Sequence, residues 1–153
     1  MNLSKNLTLF EMIRSDMAKR KGVSNQPTPE HIENMKVLAE KIFQPIREHF
    51  GVPIYISSGY RSAALNKKIG GSRTSQHLTG EAIDIDMDGH PHVSNVQIFN
   101  FIRANLIFDQ LIWEFGNNSN PDWVHVSYNT SGTNRRDVLR ATKGTFGTKY
   151  VAM

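Results

Sequence analysis

Ser75-Gln76-His77-Leu78-Thr79-Gly80-Glu81-Ala82-Ile83-Asp84-Ile85-Asp86 decides how this chain is to be read. From Glu81 to Asp86 apolar and acidic residues alternate with period two. That is the spacing of a strand with Ala82, Asp84 and Asp86 on one face and both isoleucines on the other. The isoleucine face belongs in a core and the carboxylate face at a site. Upstream, Pro53 to Ser57 reads as a second strand, Gly59-Tyr60-Arg61 as a turn, Ser62 to Lys68 as a short helix and Gly70-Gly71-Ser72 as a loop. Downstream, Ser94 caps a helix running to about Asn105 with Val96, Phe99 and Ile102 inward. Phe108 to Phe115 and Trp123 to Tyr128 are two more strands, and the turn-forming Gly116 to Pro121 between them implies an antiparallel hairpin.

The first fifty residues are helical in pattern. Leu9, Phe10, Ile13 and Met17 give an amphipathic helix over 6–20, closed by Ser24-Asn25-Gln26-Pro27. Thr28 then caps a longer helix with Pro29 at its first position and an apolar stripe from Ile32 to Phe50. Pro45 lies inside that stripe and is expected to kink it. Turns join some strands and helices join others, so the fold class is α+β with a small, mainly antiparallel sheet and flanking helices. A length of 153 residues at 39% hydrophobic content fits a single domain. It divides into a helical part (1–50), a core carrying the chemistry (51–130) and a basic C-terminal segment (131–153).

Composition removes several chemistries. There is no cysteine, which excludes thiolate zinc sites, thiol nucleophiles and disulfide scaffolds, so a metal here must use His, Asp or Glu. The opening residues have no signal-peptide pattern and no run approaches a membrane span, so the expectation is synthesis in the cytoplasm without a membrane anchor. Lys and Arg outnumber Asp and Glu by 18 to 14. Beyond residue 128, Arg135, Arg136, Arg140, Lys143 and Lys149 face only Asp137. Such a patch suits an anionic polymer, yet no aromatic strand motif or helix-turn-helix accompanies it, so nucleic acid is not the expected partner. A short basic block is ordinarily a solvated surface.

Catalytic zinc takes three protein ligands and leaves a position for water. His77 precedes the Asp84 strand by one loop, and His125 sits on a later strand with Trp123 and Ser127 on its face. The three can meet at one rim of the sheet. On the residues alone, a hydrogen-bonded strand histidine and a salt-bridged aspartate remain the ordinary alternative. Asp84-Ile85-Asp86-Met87-Asp88-Gly89 also matches the first half of an EF-hand calcium loop, but the twelfth position is Asn95 where a glutamate is required. His31, His49, His90 and His92 read as non-ligands.

The stretch from Ser75 to Asp84 resembles the S-x-H-x-x-G-x-A-x-D signature of the zinc D-alanyl-D-alanine peptidases, a family that also includes L-alanyl-D-glutamate endopeptidases of phage lysins. Ser58-Gly59-Tyr60-Arg61-Ser62 is similar to the family's S-G-[YF]-R-[ST] segment and Asp122-Trp123-Val124-His125 to its [DE]-x-x-H segment, in the family's order. The resemblance implies the Hedgehog/D,D-peptidase fold and one zinc ion held by His77, Asp84 and His125. Asp122 would be the base that deprotonates water, and Arg61 would bind substrate and steady the oxyanion. Ser75 and Gln76 would line the cleft. The implied substrate is an amide bond of a peptidoglycan stem peptide, and the implied setting a monomeric phage lysin or wall peptidase. Because residues i and i+3 of a regular strand face opposite sides, Asp122 can serve His125 only if the strand begins irregularly after Pro121. Glu114, ending the neighbouring strand, is the competing carboxylate, as base or as a hydrogen-bond partner of a site residue.

Overall fold

The isoleucines of the deciding stretch are fully buried, and the strand that carries them, β4 (Ala82–Ile85), lies inside a six-stranded sheet. The computed structural model describes residues 1–153. In chain order the elements are β1 (Asn2–Ser4), β2 (Leu7–Thr8), α1 (Leu9–Ile13), α2 (Asp16–Lys21), α3 (Pro29–Leu38), a π-helical turn (Ala39–Phe43) and α4 (Gln44–Phe50). Then come β3 (Ile56–Ser58), α5 (Ala63–Lys68), a 3₁₀ turn (Gln76–Thr79), β4, α6 (Asn95–Asn105), β5 (Gln110–Glu114), β6 (Trp123–Ser127), β7 (Asp137–Gly144) and β8 (Gly147–Ala152). The sheet order is β3-β4-β6-β5-β7-β8, antiparallel except for the parallel pair β5–β7. The α+β reading with a mostly antiparallel sheet therefore holds.

Period two divides the sheet into two faces. Ile83, Ile85, Leu111, Trp113, Val124 and Val126 join Leu38, Ile42, Phe43, Ile46, Ile98, Phe99 and Ile102 in one cluster of 24 buried residues. Phe99 of α6 meets Trp113 edge-on at 5.2 Å between ring centroids. Each such side chain withdrawn from water contributes about 1.5–3 kcal/mol, so this packed face keeps the opposite one in register. On that opposite face the row Asp84–His125–Ile112–Leu139 crosses β4, β6, β5 and β7.

One expectation is corrected. The helix expected over 6–20 is a small hairpin, β1–β2, followed by two short helices. Thr8 and Glu11 form a capping box that starts α1, while the extended Arg14 ends it and the Ser15 hydroxyl starts α2. Caps close together outweigh the apolar period, and Phe10 of that period is 66% exposed. The helix that carries Pro45 departs from α geometry just before the proline. A π turn immediately precedes it, and the wider ladder absorbs the missing amide donor while Ala39, Ile42 and Phe43 stay buried. The basic C-terminal segment forms the hairpin β7–β8. No helix is long and apolar enough to cross a membrane.

Candidate active site

Asp84 and His125 are direct cross-strand partners in the β4–β6 ladder, and the register places His125 Nδ1 3.0 Å from Asp84 Oδ1. His77 arrives from outside the sheet. Ser75 caps the 3₁₀ turn by accepting from the His77 amide at 3.2 Å, and Gly80 ends the turn at φ 79°. A Cβ at Gly80 would stand 2.7 Å from the His31 carbonyl oxygen and 2.9 Å from Met35 Cγ, so only glycine lets this turn lie against α3.

The tautomer of His77 follows from its partner. Nδ1 lies 2.6 Å from the Gly59 carbonyl oxygen, which can only accept, so Nδ1 carries the proton and Nε2 a lone pair. That lone pair is buried with no hydrogen-bond partner, and Asp84 Oδ1 lies 3.3 Å from it. Burial lowers the His77 pKa against the pull of Asp84, which favours the neutral ring. Burial alone would raise the Asp84 carboxyl, but the two histidines beside it outweigh that and hold the group well below the usual carboxylate range. A lone pair facing an anion across 3.3 Å is unfavourable without a cation between them. The ligand atoms of His77, Asp84 and His125 all lie within 4.8 Å of one another. Two imidazoles and an ionised carboxylate form a donor set that fits a zinc-sized dication with one position left open.

Arg61 flanks this group. Its amide donates to the His77 carbonyl at 3.0 Å, and its Nε is buried without a partner. Asn25, which the sequence reading treated only as a loop residue, holds the backbone on both sides of Arg61. Its Nδ2 donates to the carbonyls of Ile13 (2.7 Å) and Tyr60 (3.1 Å), and its Oδ1 accepts from the Ser62 amide (2.7 Å). No sequence signal distinguishes this asparagine from an ordinary turn residue.

The two candidate bases occupy different places. Glu114 pairs with Trp123 on the face that carries His125, is 8% exposed and lines the cleft. Burial, then the charge of Asp84, push its carboxyl up to about 7 against the pull of His125 and Arg61. Asp122 is exposed and does not line the cleft. Strand β6 is regular from Trp123, the Asp122 amide donates to the Glu114 carbonyl at 2.9 Å, and its own carbonyl accepts from Asn95. Asp122 itself lies in a bend just before the first residue of the strand.

The cleft has a volume of about 950 Å³ and includes Ser75 and Gln76. Gln76 Nε2 donates to Asp109 Oδ2 at 3.1 Å, and Asp109 also receives the Arg135 amide, Nε and Nη2. The basic C-terminal residues are thus partly committed within the molecule. Arg136 lies over the Phe108 ring, and Arg140 bonds Asn118 Oδ1 at 2.7 Å and lies over Trp113. Asp86, the second carboxylate of the calcium-like stretch, accepts from the Asp88 amide and Asn95 Nδ2.

A family model described as Peptidase M15 matches residues 5–127. The chain belongs to the peptidase M15 family. No curated protein matches it. M15 peptidases are zinc-dependent hydrolases, and this M15 chain carries, in His77, Asp84 and His125, a group able to hold such an ion.

Proposed function

We propose that the protein is a zinc metallopeptidase that hydrolyses an amide bond in peptidoglycan stem peptides, with residues 1–153 acting as one catalytic domain. The observation that carries the reading is the orphaned His77 Nε2 lying 3.3 Å from Asp84, beside His125. It is supported by membership in the M15 family and by the three ordered segments that resemble the D-alanyl-D-alanine peptidases. Bound zinc would polarise the scissile carbonyl and lower the pKa of water to about 7.

In this reading His77, Asp84 and His125 hold the metal, and the ladder and the Gly59 carbonyl fix their orientation. Glu114 removes the proton from the attacking water and delivers it to the leaving amine. We assign this role to Glu114 over Asp122, which occupies the family's base position, because Glu114 is in the cleft on the His125 face and Asp122 is not. Arg61 donates to the oxygen on which negative charge develops, a task suited to a fixed, always-charged guanidinium. Ser75 and Gln76 line the substrate path. The stem-peptide class admits either D-Ala-D-Ala or L-Ala-D-Glu cleavage, in a phage lysin or a bacterial wall enzyme.

Purified murein incubated with zinc-loaded protein should release new amino groups, and a chelator should stop the release. Mass spectrometry of the fragments then identifies the bond. Zinc-loaded protein that binds murein without releasing amino groups would instead be a non-catalytic wall-binding module and would sink the proposal.

A further inference from the structure

Residues beyond 127, where the family match ends, build one side of the cleft. Leu139, Thr148 and Tyr150 of the β7–β8 hairpin line it together with the metal-site residues. The hairpin comes to the site because β7 pairs in parallel with β5, extending the sheet past Glu114. A second row of paired residues then crosses the cleft floor, Trp123–Glu114–Ala141–Tyr150, beside the row that holds Asp84 and His125. Paired residues share a face, so Tyr150 stands on the Glu114 side of the sheet, two strand spacings away, which is about 9–10 Å. The residue between them, Ala141, is fully buried and small. Its short side chain leaves the tyrosine ring free to lean over it toward Glu114.

Burial, followed by the nearby charges of Glu114 and Asp84, pushes the Tyr150 phenol up. The hydroxyl therefore stays protonated and is a hydrogen-bond donor at neutral pH. The residue is nevertheless 54% exposed, so ring and hydroxyl are open to a ligand in the cleft. Arg61 follows β3 at one edge of the sheet, and Tyr150 lies on β8 at the other. An extended peptide laid across the metal site would run between them.

We propose that Tyr150 is a substrate-binding residue, its ring forming the rim of the cleft opposite Arg61 and its hydroxyl donating a hydrogen bond to the backbone of the bound peptide. The proposal rests on the peptidase reading above and adds a binding residue from outside the family-matched region. A ring that only packs and a hydroxyl that binds substrate predict different behaviour for the conservative variant.

The test uses the full chain with zinc and a synthetic stem pentapeptide, comparing wild type, Tyr150→Phe and Tyr150→Ala. Loss of one neutral hydrogen bond should raise the KM of Tyr150→Phe about threefold to tenfold with kcat nearly unchanged. Tyr150→Ala should raise KM further. Peptide titration followed by amide chemical shifts should give a matching rise in Kd, and thermal unfolding of Tyr150→Phe should match wild type. An active wild type with the same KM and Kd in Tyr150→Phe overturns the inference and leaves the peptidase reading standing. A wild type that binds the peptide without cleaving it sinks the peptidase reading, and the two Kd values then decide the role of Tyr150. A wild type that neither binds nor cleaves it overturns both.

Discussion

Asp84 and Asp109 are both largely shielded carboxylates near one cleft, with side chains 14% and 4% exposed, yet they do opposite things. Asp109 is saturated. It faces a permanent cation, Arg135, through three hydrogen bonds and takes a fourth from Gln76. Asp84 faces two imidazoles, one of which offers it a lone pair. The first arrangement is complete within the protein and joins the C-terminal segment to the cleft loop. The second becomes complete only when a cation enters. A buried carboxylate marks a site when its partners are themselves unsatisfied, not because it is buried.

The sharpest way to break the comparison is Asp84→Asn, which removes the anion and leaves the two histidines. Zinc binding, measured by titration with competing chelator, should fall by orders of magnitude, and turnover should drop below detection. The variant should lose the metal-dependent rise in melting temperature that a ligand bound only by the native state confers. Undiminished zinc affinity would mean that Asp84 is no more a ligand than Asp109.

A smaller effect separates the two candidate bases. Glu114→Gln should lower kcat by about 10²–10⁴-fold, the usual contribution of a general base, while Asp122→Asn should stay within a few-fold of wild type. Glu114 must be ionised to act, so kcat/KM should rise with pH through its pKa. The metal-free carboxyl is pushed up to about 7 by burial and Asp84, and a dication beside it favours the ionised form, placing the acid limb below 7 in the zinc enzyme. Glu114→Gln should lose that limb. A large loss in Asp122→Asn with Glu114→Gln unaffected would return the role to Asp122.

Asp109→Asn should act on stability. Replacing charge-assisted hydrogen bonds with neutral ones should cost about 1.5–3 kcal/mol in denaturant unfolding, with zinc affinity preserved. The hydrogen bonds from Arg135 hold the Asp109 pKa below its ordinary value despite burial. Its contribution is therefore fully present above the unfolded pKa of about 3.9 and is lost as pH falls through the folded value. The gap between wild type and variant should close in acid.

Local signals explain most of what the sequence revealed. The alternation at Ala82–Ile85, the Ser94 cap and the turn residues between β5 and β6 act over a few residues, and each produced the expected element. His77, Asp84 and His125 were legible as a group through signature spacing, because loop and ladder geometry fix where they meet. What escaped depends on distant partners. Asn25 matters only because Tyr60 and Ser62 arrive beside it from 35 and 37 residues away. The β7–β8 hairpin reads as a basic segment because its strands lack a fully buried face, and β8 is exposed throughout.

The strand order grades the site's durability. β4 and β6 lie in the sheet interior, each paired on both sides, and they hold Asp84 and His125; β8 is an outer strand whose only ladder is to β7. Amides in such edge strands open first and those in doubly paired strands last. A fluctuation that peels the β8 strand away removes Tyr150 from the cleft while the carboxylate and imidazole keep their spacing, so the wall of the cleft is remade many times within the lifetime of the centre it encloses.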